Sequence, residues 1–145
     1  MSAADWKDVT IPVTITGTAT IDTDYSTAFS SKGVSTVAGG NGYGSGFKQL
    51  SNPIDVALDS SGNIYVVDYD NHRIMKWEPG ATVGTVVAGG NGYGSGLNQL
   101  GNPFGVTLDS SRNIYVADRE NHRIMKWEPG STQGSFVSVL IGNCS

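Results

Sequence analysis

The feature that most limits this chain is a repeat: Gly33 to Thr82 returns as Val83 to Thr132 at a shift of 50 residues, with about 35 of 50 positions identical. A tandem array of this kind is built from supersecondary units that bury their apolar faces only by stacking on one another. The tract Ala38-Gly-Gly-Asn-Gly-Tyr-Gly-Ser-Gly46 recurs as Ala88 to Gly96, and Asn71-His-Arg-Ile-Met-Lys-Trp-Glu-Pro-Gly80 recurs as Asn121 to Gly130. A third copy begins at Gly134-Ser-Phe-Val137 but continues Ser-Val-Leu-Ile141 where Ala-Gly-Gly-Asn is due. Four segments result: an N-terminal β extension over 1–32 that matches neither copy, repeats over 33–82 and 83–132, and a terminal outer strand over 133–145.

Within a copy the apolar runs are short, and none has the i, i+3, i+4 spacing of a helix. Four strands are expected per copy. The first is Val56-Ala-Leu-Asp59 behind Asn52-Pro53, since a proline that cannot donate to a ladder belongs at a strand's start. Asp59-Ser-Ser-Gly62 has the composition of a hairpin turn into Asn63-Ile-Tyr-Val-Val-Asp68. Arg73 to Trp77 is the third strand, closed by Pro79-Gly80, and Thr85-Val-Val-Ala88 is the fourth. Four antiparallel strands in about 50 residues make one propeller blade, so the chain reads as all-β. The continuous apolar runs Ile64-Tyr-Val-Val67 and Ile114-Tyr-Val-Ala117 fit strands covered on both faces. Small residues at 57, 105 and 117 suit the narrow inner end of a blade.

Composition removes several function classes. No window approaches the ~18 apolar residues of a membrane span, and Met1-Ser-Ala-Ala-Asp-Trp-Lys7 holds no apolar signal-peptide core. The net charge is −4. Residues 33–82 carry three basic and five acidic side chains and 83–132 carry four of each, so neither copy offers the basic stripe that nucleic-acid binding draws on. Cys144 is the single cysteine and permits no internal disulfide.

The pattern Asn-Pro-x-x-Val-x-Leu-Asp-x-x-x-Asn-Ile-Tyr-Val-x-Asp-x-x-Asn-His-Arg-Ile resembles the NHL repeat, with its tripeptide at Asn71-His72-Arg73 and Asn121-His122-Arg123. The resemblance covers residues 33–132 in two copies. It implies a β-propeller, usually of about six blades; the chain is expected to be a non-enzymatic interaction or structural module. Some intracellular members bind RNA through a basic face, and related propellers include metal-dependent lyases and hydrolases whose ligands are not found in this sequence. Ile11-Pro-Val-Thr-Ile-Thr-Gly-Thr-Ala-Thr20 followed by Asp22-Thr-Asp-Tyr25 also resembles a strand segment of Calx-beta domains.

Two blades cannot close a ring. The chain is therefore expected to be part of a longer array, to pool blades with other copies in a ring, or to stack without closing into a filament. Val34-Ser-Thr-Val37 is expected as one outer strand too many, which with Val13-Thr-Ile-Thr16 makes a donor segment for a neighbour's sheet edge.

The repeated polar residues read first as scaffold. In Asp68, Asn71, His72 and Arg73, and again in Asp118, Asn121, His122 and Arg123, aspartate and asparagine are expected to bond local backbone and arginine to reach a carboxylate. Two histidines without convergent carboxylates give no metal site, and no cofactor is expected. The glycine tracts are followed by Asn-Pro and a strand, not by a helix whose N-terminus would face a phosphate. Every charged group in the motif recurs, whereas a catalytic group would be unique to one copy. A binding face is expected where the glycine tracts meet the second-to-third-strand loops, at Asn41, Tyr43, Tyr69, Asn91, Tyr93 and Arg119. Trp77 and Trp127 are expected between blades. Asn143-Cys-Ser145 fits the glycosylation pattern. With few lysines and many Thr and Ser, it leans toward an extracellular protein whose partners are its own copies, adjacent NHL repeats, or a protein or glycan ligand.

Overall fold

A computed structural model describes residues 35–137. They form two four-stranded antiparallel sheets, each a simple meander. The first comprises β1 (Pro53–Leu58), β2 (Ile64–Asp68), β3 (Arg73–Trp77) and β4 (Thr85–Gly89). The second comprises β5 (Pro103–Leu108), β6 (Ile114–Asp118), β7 (Arg123–Trp127) and β8 (Ser135–Phe136). The only helical elements among the described residues are one-turn 3₁₀ segments, Tyr69–Asn71 and Arg119–Asn121. The structure is all-β, as the sequence implies.

The strands lie where the sequence puts them, with β1 starting at Pro53 instead of Val56. Proline opens the strand, and a bulge between Pro53 and Asp55 absorbs its missing donor. The Asp59 turn closes through paired backbone bonds, Asp59 N–H to the Asn63 carbonyl at 3.1 Å and Gly62 N–H to the Asp59 carbonyl at 3.0 Å.

Residues 35–37 form no strand, contrary to the outer strand expected there. Their counterparts in β4 pair with β3, and a strand needs such a neighbour to satisfy its backbone groups. No such neighbour stands ahead of the first blade among the described residues. Val13–Thr16, the Calx-beta-like segment, residues 138–141 and Asn143 lie outside the described residues.

Register gives each sheet two distinct faces. In the first blade Val56, Leu58, Ile64, Val66, Met75 and Trp77 share one face, hereafter the leading face, while Ala57, Tyr65, Val67 and Ile74 share the other, the trailing face. The main core lies between the sheets. There Tyr65, Val67, Ile74 and Ala88 of the first blade meet Leu100, Val106, Ile114, Val116, Met125 and Trp127 of the second. The trailing face of one blade thus packs on the leading face of the next. A smaller cluster of Val66, Met75 and Trp77 on the first blade's leading face is covered by Ala38 and Leu50 from the preceding connection.

Trp77 and Trp127 are buried, Trp127 between the blades and Trp77 in the smaller cluster. Gly84 and Gly134 lie against their indoles, and a Cβ on Gly84 would come within 2.6 Å of Trp77 Cε2.

Candidate functional site

The Asn-His-Arg tripeptide belongs to a clamp that ties the glycine-rich connection onto its own blade. Asp68 ends β2 and Arg73 begins β3 directly opposite it, joined by the 3₁₀ turn. Arg73 Nε donates to Asp68 Oδ2 at 2.6 Å, with Asp68 fully buried. Asp68 Oδ1 also accepts the Ser51 amide at 2.7 Å, and Asn71 Nδ2 donates to both carboxylate oxygens at 2.9 Å. The guanidinium then reaches outward: Nη1 donates to the Ser45 carbonyl at 2.8 Å and Nη2 to the carbonyls of Gly46 and Gln49. Asn71 adds a bond to the Gly44 carbonyl at 3.0 Å.

The second blade repeats this bond for bond. Arg123 Nε donates to Asp118 Oδ2 at 2.5 Å and its Nη atoms donate to the carbonyls of Ser95, Gly96 and Gln99. Asn121 bridges Asp118 and Gly94, and Gly101 N–H donates to Asp118 Oδ1 at 2.6 Å. A loop rich in glycine has many backbone carbonyls and few side chains, so a buried guanidinium with five donors in a fixed fork is well suited to hold it.

His72 and His122 end their 3₁₀ turns in the left-handed region, each with φ of 52°. His72 turns toward the second blade, where its Nδ1 accepts the Asn102 amide at 3.3 Å and its ring meets Tyr93 edge-on with centroids 5.3 Å apart. His122, its counterpart, is exposed.

On the loop face, Asn41 and Asn91 direct their amides inward. Asn41 Nδ2 donates to the carbonyls of Gly39 and Lys48, and Asn91 does the same to Gly89 and Asn98. Gln49 and Gln99, identical in the two copies and not singled out by their sequence, complete these loops by donating to the Asn41 and Asn91 carbonyls. Tyr69 and Arg119 come together across the blades, Nη1 to the phenol oxygen at 3.2 Å, with the guanidinium 5.9 Å above the Phe104 ring. Tyr43 is exposed and joins none of these side-chain contacts. The face therefore brings Tyr69, Arg119, His72 and Tyr93 to the blade junction and leaves Tyr43 and His122 at its two ends.

At the opposite end of the sheets Asp59 and Asp109 organise the β1–β2 and β5–β6 turns. Asp59 Oδ2 accepts from Asn63 Nδ2 at 2.7 Å and from the Tyr65 hydroxyl, while Oδ1 accepts the amides of Ser61 and Asn63. The Asn63 side-chain bond, with the backbone amides, holds the Asp59 carboxyl below the usual carboxylate range, and Asn113 does the same for Asp109. Burial pushes the Tyr65 phenol up, assisted by the neighbouring Asp59 charge. Among the described residues no three His, Cys, Asp or Glu side chains converge as a metal site would require, and no helix is long and apolar enough to cross a membrane.

Residues 50–77 and 100–127 match the NHL repeat model, spans that run from Leu50 and Leu100 through the clamp to Trp77 and Trp127. The chain carries two NHL repeats, and each forms the first three strands of one blade. No curated protein matches the chain. NHL repeats form β-propeller modules that generally mediate protein interactions, and some NHL propellers are enzymes.

Proposed function

We propose that this chain is a non-enzymatic interaction and structural module whose working surfaces are the two open blade faces, and that it acts outside the cell by assembling with further NHL blades. The supporting observation is the difference in burial between equivalent residues. Ile74 on the trailing face of the first blade is 0% exposed, whereas Ile124 at the same place in the second blade is 51% exposed. On the leading side, Val106 is 8% exposed and Val56 is 54% exposed. Part of the apolar surface that is core at the junction is presented to solvent at the two ends, at Val56 and Leu58 on one and Ile124 on the other, where burying it stabilises by about 25 cal/mol per Å² of apolar area. Repeat units in this state are stabilised by neighbours that cover them.

The repeated chemistry of the motif goes into holding loops, since Asp68, Asn71, Arg73 and their counterparts are all engaged with backbone. The extracellular assignment draws on the Asn143-Cys-Ser145 pattern and the Thr/Ser-rich composition. The test is urea unfolding over a hundredfold range of protein concentration. Assembly through the open faces makes the midpoint rise with concentration. A midpoint independent of concentration contradicts the reading.

A further inference from the structure

The junction between the blades is held in register by polar and aromatic contacts, and the repeat places the separate halves of the His72 contacts at the two ends of the pair. His72 meets Tyr93 and accepts the Asn102 amide, and Tyr69 accepts from Arg119. His72 comes from the trailing side of the first blade, and Tyr93 and Asn102 come from the leading side of the second; Tyr69 and Arg119 hold equivalent places in the two blades and meet across the junction. At the outer ends, His122 stands on the trailing side of the second blade. Tyr43 and Asn52 stand on the leading side of the first. Tyr43 and His122 are exposed and have no side-chain partner among the described residues.

We propose that a second copy of this chain docks its first blade on the open face of the second blade, head to tail and in the register of the internal junction. Tyr43 and Asn52 of the incoming copy then meet His122, its Tyr69 meets Arg119, and its Val56 covers Ile124. The proposal rests on the preceding reading that the open faces are assembly surfaces and adds the partner and its register.

The positions at which the blades differ favour a second copy over an unrelated occupant. Asp55 uses Oδ1 for its own strand's Val56 amide and Oδ2 for the Val106 amide of the next blade, both at 2.9 Å. The second blade has Gly105 at this place and takes its acceptor from Asp55. A Cβ on Gly105 would lie 3.5 Å from Asp55 Oδ2, so an aspartate in both blades would bring two carboxylates together. An incoming first blade meets Gly105 with its Val56 amide already satisfied by its own Asp55. Tyr69 and Arg119 alternate in the same way, so a phenol always faces a guanidinium and never two guanidiniums face each other. The differences have a period of two blades, which copies of a two-blade chain reproduce at every junction.

The sequence also departs from the repeat after β8. The connection over residues 89–99 that carries the chain from the first blade to the second has no counterpart in Ser138-Val-Leu-Ile141. The same heterologous contact repeated between copies yields a ring if the rotation closes and a filament if it does not.

The test is cysteine crosslinking in a Cys144→Ser background. A chain carrying both Tyr43→Cys and His122→Cys is treated with a short bis-maleimide whose reach is set on the internal pair His72→Cys and Tyr93→Cys. A ladder of covalent oligomers is expected from the double variant and none from either single variant. Val56→Cys with Ile124→Cys, two exposed positions whose counterparts Val106 and Ile74 share the core, provides an independent second pair. Assemblies of native mass in which neither pair crosslinks overturn the register and leave the assembly reading standing. A monomeric native mass overturns both.

Discussion

Asp55 Oδ2 accepts the Val106 amide at 2.9 Å, so a carboxylate on the first strand of one blade satisfies the first strand of the next. The two residues are 51 positions apart and lie where the sheets approach each other along β1 and β5. Asp55→Ala removes the acceptor for both Val56 and Val106. Leaving a partly buried amide unpaired costs about 1–3 kcal/mol, and Asp55→Asn, which keeps an oxygen there, should cost less. Urea midpoints of the two variants check the order, and equal midpoints for Asp55→Asn and Asp55→Ala contradict it.

The clamp is a buried ion pair, and its weakness is loss of one partner. Asp68→Ala strands Arg73, which is 6% exposed, beside three carbonyls with no counter-charge. Breaking such a pair destabilises by about 3–5 kcal/mol. Asp118→Ala should behave alike. Hydrogen exchange reads the consequence locally, because the amide of Ser51 loses its bond to Asp68 and the loop over residues 44–51 loses its anchor.

Gly84→Ala puts a methyl group into the indole of Trp77. The contact is with a rigid, fully buried ring, so the backbone must shift, at a cost of about 1–3 kcal/mol for overpacking. Gly80→Ala meets nothing within 4 Å but sits at a φ of +77°, so it reports backbone strain without the indole clash. Thermal unfolding separates them, with the Gly84 variant also altering Trp fluorescence.

Asp59 and Asp109 have folded-state carboxyls held below their ordinary value of 3.8 by Asn63 and Asn113. A depressed pKa means that the stabilisation is present above the unfolded value and is lost as pH falls through the folded one. Stability should therefore decline from about pH 4 downward. The double variant Asp59→Asn, Asp109→Asn should be less stable at neutral pH and lose less on acidification. Urea unfolding at a series of pH values reads the slope, and an unchanged acid slope contradicts the assignment.

Much of the fold was legible because the chain repeats itself. Proline at 53, the Asp59 turn and the apolar run over 64–67 each specify a local conformation, and each recurs 50 residues later. The clamp was legible in kind, since Asp-x-x-Asn-His-Arg promised turn bonds and an arginine–carboxylate contact. Its target was not: Arg73 reaches carbonyls 24 to 28 residues away, and backbone acceptors leave no mark in a sequence. No extra strand forms at 35–37, because no partner ladder stands beside those residues among the described ones. The roles of Asp55 and Gly105 were hidden for a related reason. Their difference is visible in the repeat, but its meaning depends on two strands meeting across a junction.

The most direct test of the account is the native mass of the purified protein, measured by light scattering and imaged by negative stain in the same sample. Head-to-tail docking of blades predicts assemblies of several chains, discrete if the rotation closes and elongated if it does not. A folded 15.2 kDa monomer at all concentrations would contradict it.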